Sequence, residues 1–212
     1  MPLLDGTRSV GCCAIILAGG RNTRMNGRNK AFLDIGGRTI LDRLTQSLQT
    51  VFSDILLVTR QPDLYADRAF RVVQDIYTDR SSLTGIHAGL VNARTEFGFT
   101  VPCDTPFLQP ALVRMLLDEC EPDLDVVVPF FDGHYQPLCA IYSKRCIPVI
   151  EEQLSSRNYK IINFFDRLNV KTVFGEKLSV ADPELLSFFN VNTPEAYAAC
   201  RELNAAKSKK KE

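Results

Sequence analysis

Cys12-Cys13-Ala14-Ile15-Ile16-Leu17-Ala18-Gly19-Gly20 is the stretch on which the fold turns. An unbroken apolar run from Cys12 to Leu17, closed by small residues and two glycines, reads as a short strand buried on both faces, the kind that parallel sheets use. Outward from it the pattern repeats. Thr39 to Val51 carries Ile40, Leu41, Leu44, Leu48 and Val51 at helical spacing. Asp54 to Thr59 and Arg71 to Gln74 are two more short strands, the second ending at Asp75. Leu83 to Arg94 reads as a helix entered through Ser81-Ser82, and Phe97 to Val101 as a fourth strand closed by Pro102. Pro110 to Cys120 is helical; Asp125 to Pro129 and Leu138 to Tyr142 are strands, joined through a hairpin turn at Asp132-Gly133. Cys146 to Ser155 and Tyr159 to Leu168 read as helices, Val170 to Phe174 as a strand and Pro194 to Leu203 as a closing helix. Strands alternating with helices predict a single α/β domain with a mostly parallel, twisted, Rossmann-like sheet and helices on both faces. The domain is expected over residues 12–205, between a flexible leader (1–11) and a basic, disordered tail (206–212).

The composition narrows the function. Lys plus Arg and Asp plus Glu each number 25, so the formal net charge is zero, and the basic surplus of a nucleic-acid binder is missing. Seven cysteines, an odd number with no C-x-x-C pair, sit largely in apolar runs and suit a reducing cytoplasm. No stretch approaches the ~20 apolar residues of a membrane span, and no signal-peptide pattern opens the chain.

The segment after the first strand, Leu17 to Lys30, carries the chemistry. Gly19 and Gly20 allow backbone N–H groups to approach an anion without Cβ interference. Arg24 and Lys30 add a planar fork and a point charge, a pair suited to a triphosphate. Neither the dinucleotide fingerprint G-x-G-x-x-G nor G-x-x-x-x-G-K-[ST] is present, since Ala31 follows Lys30. Asp104, in Pro102-Cys103-Asp104-Thr105-Pro106 beyond the fourth strand, stands at the carboxyl edge of the sheet, where open α/β folds bind ligands. Magnesium takes one or two carboxylates together with phosphate oxygens and water, so Asp104 is the candidate metal ligand; its alternative is to cap the following helix.

The L-A-G-G-x-x-x-R-M…K loop resembles that of nucleotidyltransferases with a glycosyltransferase-A-like fold. With Asp75, Leu83-Thr84-Gly85-Ile86, Pro102 to Pro106, and Phe189-Asn190-Val191-Asn192-Thr193-Pro194-Glu195, the chain is similar throughout to the molybdenum cofactor guanylyltransferases. It departs from that family at Ser81 to Gly85, where Gly-Pro-Leu-Ala-Gly is frequent, and at Val58, where an Asn is frequent. The resemblance implies transfer of GMP from GTP to the terminal phosphate of molybdenum-bound molybdopterin, with magnesium as cofactor, and protein partners that deliver the acceptor and receive the product. It implies a nucleotide contact for Asp75, with a turn-forming aspartate as the alternative, and places backbone groups of Leu17 and Ala18 on the purine edge. Asn190 and Asn192 flank Val191 on one face of an extended segment, far along the chain from the phosphate loop; they are expected to act on the acceptor rather than on GTP, or else to cap the helix at Pro194. Gln136-Pro137-Leu138 is expected to wall the acceptor side. His87 and His134 have no partner nucleophile in view; His87 is expected to pack or to face solvent. Two other readings remain open here: the same fold acting on another phosphorylated acceptor, and a regulator that holds a nucleotide without turnover.

Overall fold

The computed structural model describes residues 11–19, 29–68 and 70–209, with side chains to residue 207. The first stretch forms β1 (Cys12–Leu17), paired in parallel with β2 (Ile55–Thr59) on one side and with β4 (Phe97–Pro102) on the other. β3 (Arg71–Gln74) lies outside β2, also parallel. The order β3-β2-β1-β4 reverses direction of build at β1, and the crevice outside its carboxyl end is where such sheets bind ligands.

Beyond β4 the pattern changes. β7 (Ala140–Ser143) runs antiparallel to both β4 and β5 (Val126–Phe131), and β8 (Val170–Phe174) is parallel to β5. Val126 pairs with Tyr142 and also with Val170, so β7 and β8 occupy opposite sides of β5. A two-residue strand, β6 (His134–Tyr135), folds back on β5 through Asp132 and Gly133, both at positive φ as a tight hairpin turn requires. The sheet is mixed but mostly parallel, as the sequence predicts.

Period-two alternation in β1 decides which helix covers which face. Ala14 and Ile16 join one core cluster with α1 (Ile40–Gln49), α3 (Pro110–Asp118) and Leu178 of α5 (Gly175–Ala181). Cys13 and Ile15 join the other, with α2 (Ser82–Asn92) and α4 (Ile147–Ser155). Each leucine of the α1 stripe is fully buried, contributing about 1.5–3 kcal/mol by the usual transfer estimate. Thr39 caps α1 by accepting the Asp42 N–H (3.1 Å), and Ser81 caps α2 by accepting the Thr84 N–H (3.1 Å). A third, smaller cluster, with Ile35, Val191 and Cys200, seats α6 (Pro194–Lys209).

Several expectations are corrected. Tyr159 to Leu168 holds a 3-10 segment, Ile161–Arg167, in place of an α-helix. The strand expected from Leu138 begins at Ala140, because Pro137 and Leu138 form a turn. β6 and α5 were not foreseen. α6 runs to Lys209, past the point where the tail was expected to begin, and residues 210–212 lie outside the described part, as do residues 1–10 of the leader. Among the described residues no helix is long and apolar enough to cross a membrane.

α2 lies close against the sheet at Gly89. A Cβ built there would come 2.4 Å from Cγ2 of Ile15, a fully buried side chain in the central strand. Gly89→Ala gains about 1 kcal/mol of helix propensity, yet overpacking of this kind costs ~1–3 kcal/mol. The expected net result is a melting temperature lower by a few degrees in a circular-dichroism melt; an unchanged or raised value would contradict this close packing.

Candidate active site

The parallel ladder continues one step past β1 and β4, and that step builds the site. The Cys103 N–H donates to the Leu17 carbonyl (3.0 Å), which sets Asp104 beside Ala18 and Gly19. The Ala18 N–H donates to the Val58 carbonyl (2.8 Å), and the Thr59 hydroxyl donates to the Ala18 carbonyl (3.2 Å). The chain leaving β1 is therefore pinned from both neighbours just where the glycines begin. These strand ends, the start of α2 and the segment before α6 enclose a cleft of about 370 Å³.

Lys30 is the hub of this cleft. Its Nζ donates to Asp104 Oδ2 (3.2 Å) and to Asn192 Oδ1 (2.5 Å). Asp104 is buried at 8% exposure, and burial raises its carboxyl pKa above the usual carboxylate range, with the Lys30 ammonium opposing that rise. The backbone of the same turn holds the distant segment: the Val191 N–H donates to the Asp104 carbonyl (3.0 Å), and the Thr105 hydroxyl donates to Asn190 Oδ1 (2.9 Å). Val191 is fully buried while Asn190 and Asn192 line the cleft, the alternation read from the sequence. The helix cap belongs to Thr193, whose hydroxyl accepts the Ala196 N–H (3.2 Å), so neither asparagine is needed for it. Far apart along the chain, the two segments meet in the fold: Asn192 touches Lys30 across 162 positions of sequence.

Asp75 follows β3 and lines the cleft beside Gly19; a side chain at position 19 would reach 3.5 Å from Asp75 Oδ2. Burial raises its pKa, with Arg60 opposing. Asp75 Oδ1 is buried with no hydrogen-bond partner among the described residues, an acceptor in position for a ligand donor or cation. Arg60 also donates to the carbonyls of Thr78 and Asp79 (2.9 Å each), bracing the loop that carries Arg80 to the cleft.

Of the residues singled out in the sequence, Leu17, Ala18, Gly19, Lys30, Asp75, Asp104, Asn190 and Asn192 come together here, and Leu138 joins them from the far wall. Gly20 and Arg24 lie outside the described residues. Val58 lines the cleft but is 1% exposed and packs in the core cluster of α2, so it offers the ligand no polar group. His87 is buried away from the cleft lining, 3.0 Å from Glu151 Oε1 and edge-on to Tyr77. Asn29 and Arg80 were missed. Asn directly before a turn is a capping signal that was available at Asn29; a lone arginine in a loop, as at Arg80, carries none.

Cys103 is the nearest thiol to the site, and burial, with Asp104 adding to it, pushes its pKa up to about 12, so it is no thiolate nucleophile. Among the described residues no cluster of three or more His, Cys, Asp or Glu is arranged to hold a metal by itself. The donor set suits a cation that shares its coordination with a phosphate: Asp104 in the cleft, and the unpartnered Oδ1 of Asp75.

A cleft that gathers a lysine and two strand-end carboxylates at the switch of an α/β sheet is equipped to bind and orient a polyphosphate, and the fold and site together define the class: a nucleotidyltransferase. Comparison with known proteins narrows it. Residues 14–170 match the MobA-like NTP transferase domain. The chain is 41% identical over 181 residues to the molybdenum cofactor guanylyltransferase of Desulfosudis oleivorans, over 85% of this chain and 90% of that one. The crystal structure of molybdopterin-guanine dinucleotide biosynthesis protein A from Archaeoglobus fulgidus superposes with a TM-score of 0.82 at 25% identity, covering 92% of this chain and 99% of that one. CMP:2-keto-3-deoxy-manno-octonic acid synthetase complexed with CTP shares the fold, with a TM-score of 0.71 at 14% identity over 92% of this chain and 99% of that one. The chain belongs to the molybdenum cofactor guanylyltransferases, within the MobA-like NTP transferase family.

Proposed function

We propose that this enzyme transfers GMP from GTP to the terminal phosphate of molybdenum-bound molybdopterin, giving molybdopterin guanine dinucleotide cofactor and pyrophosphate. The names of its relatives support the substrates, and one observation supports the chemistry: Lys30 stands at the junction of the phosphate loop, Asp104 and Asn192. An acceptor phosphate oxygen attacks the α-phosphorus of GTP, the bond from that phosphorus to the bridging oxygen breaks, and its electron pair leaves on pyrophosphate. The acceptor is a phosphate monoester with a second pKa near 6, mostly dianionic at pH 7, and needs no strong general base. The obstacle is bringing two polyanions together, so the protein contributes positioning and charge neutralisation. Lys30 supplies positive charge to the triphosphate, and Asn192 and Asp104 hold its ammonium in place. Magnesium, held by Asp104 with Asp75 beside it, would neutralise charge on the triphosphate and the departing pyrophosphate.

The test is pyrophosphate release with GTP, magnesium and molybdenum-loaded pterin. GTP is expected to be used roughly tenfold or more better than ATP or CTP, since a mismatched hydrogen-bonding edge in a buried site is costly; Val58, without a polar group, keeps the ratio below what a fully reading site achieves. Efficient transfer to a sugar phosphate with none to the pterin would overturn the acceptor, and equal use of GTP and ATP would overturn guanine selectivity.

A further inference from the structure

We propose that Tyr65 is a positioning residue that sets the Lys30 ammonium for the triphosphate by acting through Asn29. Lys30 begins a single 3-10 turn, Lys30–Phe32, and Asn29 is its cap. The Ala31 N–H can only donate, so the carbonyl end of the Asn29 amide must face it, at 3.1 Å. The amide end then faces Tyr65, and Nδ2 donates to the phenol oxygen at 3.0 Å. Both ends of Asn29 are thereby committed, and its orientation follows from the donors around it.

Tyr65 reaches the other end of the turn as well. Its ring stacks on Phe32 with centroids 5.3 Å apart, and the Arg68 guanidinium lies 5.7 Å from the Phe32 ring centre. Between these two anchors Ala31 is fully buried. The turn that begins at Lys30 is thus held at both ends, through Asn29 and Phe32, by one aromatic side chain, itself 1% exposed and not among the described residues that line the cleft. Burial pushes the phenol pKa up to about 12, so the hydroxyl stays neutral and the contact does not depend on working pH. A lysine stem is long and rotamer-rich, and fixing its root removes much of the search that would otherwise precede triphosphate binding.

The inference rests on the transferase reading above, and the experiment separates the two. Calorimetry with inorganic triphosphate and magnesium is paired with GTP kinetics, using wild type, Tyr65→Phe, Lys30→Ala and the double variant. Tyr65→Phe removes one oxygen and leaves the ring stack. It is expected to lower kcat/KM for GTP and the affinity for inorganic triphosphate by roughly tenfold, with the acceptor KM unchanged. In the Lys30→Ala background it is expected to add nothing, because it acts only through that lysine. Asn29→Ala cuts the same link from the other end, and its loss should likewise not add to that of Tyr65→Phe. Tyr65→Phe with a lower melting temperature but wild-type triphosphate and GTP parameters would show a purely structural hydroxyl and overturn the proposal, as would losses that multiply in the double variant. Wild type that binds triphosphate but transfers no nucleotide to the pterin overturns the function while the triphosphate arm still decides on Tyr65. Wild type that binds no triphosphate overturns both.

Discussion

Lys30→Ala is expected to reduce kcat/KM for GTP by at least about a hundredfold, the scale set by losing one preorganised charge at a site of developing negative charge. Two features of the cleft support so large an effect. The ammonium has two fixed acceptors, Asp104 Oδ2 and Asn192 Oδ1, so its position precedes ligand binding. Its removal also leaves the buried Asp104 carboxylate without its cation, turning a neutralised pair into a bare negative charge facing a polyanion. Lys30→Arg should recover part of the loss, since charge returns on a planar fork of different reach. Steady-state kinetics over both substrates are the check. A Lys30→Ala enzyme within a few-fold of wild type would remove Lys30 from the site.

Asp104→Asn is expected to lower kcat by about a thousandfold at ordinary magnesium, because the side-chain shape survives and the charge that magnesium needs does not. Its signature is a separation of activity from stability. The folded-state pKa of Asp104 is raised, chiefly by burial, so folding disfavours the charged carboxylate, and that penalty is fully present at any pH above the folded pKa. The amide carries no such penalty and its oxygen still accepts from Lys30. The melting temperature at neutral pH should therefore stay level or rise while turnover collapses. Near-normal activity at ordinary magnesium would end the assignment of Asp104 as metal ligand; a large fall in melting temperature would mean that its main task is structural.

The strands were legible where local pattern suffices. β1, β3 and β8 have the bounds read from the sequence, since β1 is an unbroken apolar run ending before the glycines, β3 a valine pair closed by Asp75, and β8 a stretch rich in β-branched residues closed by Gly175. Ile161, Phe164 and Phe165 are buried at spacings that fit a 3.0-residue turn as well as a 3.6-residue one over so short a piece, so the 3-10 segment was mistaken for an α-helix. The two residues of β6 and the seven of α5 are too few to show any period. In the site, Asp75 and Asp104 were readable because strand ends are marked locally, and Lys30 because it closes the glycine-rich loop pattern that opens at Leu17. The contacts of Lys30 with Asn192 and of Asn29 with Tyr65 join positions 162 and 36 residues apart, and no local signal announces a pairing between side chains so distant in sequence.

The antiparallel strand β7 divides the labour of the cleft. Parallel strands deliver to one edge of the sheet the residues that follow them, and β1, β2, β3 and β4 supply the ligand-facing groups from Leu17 to Asp104 in that way. Because β7 runs the other way, it delivers to the same edge a residue from the turn ahead of it, Leu138. This wall of the cleft can thus be rebuilt by changing the hairpin and turn between β5 and β7, without disturbing the ends of β1 to β4. On the transferase reading proposed above, redesign of acceptor choice should begin between residues 132 and 139.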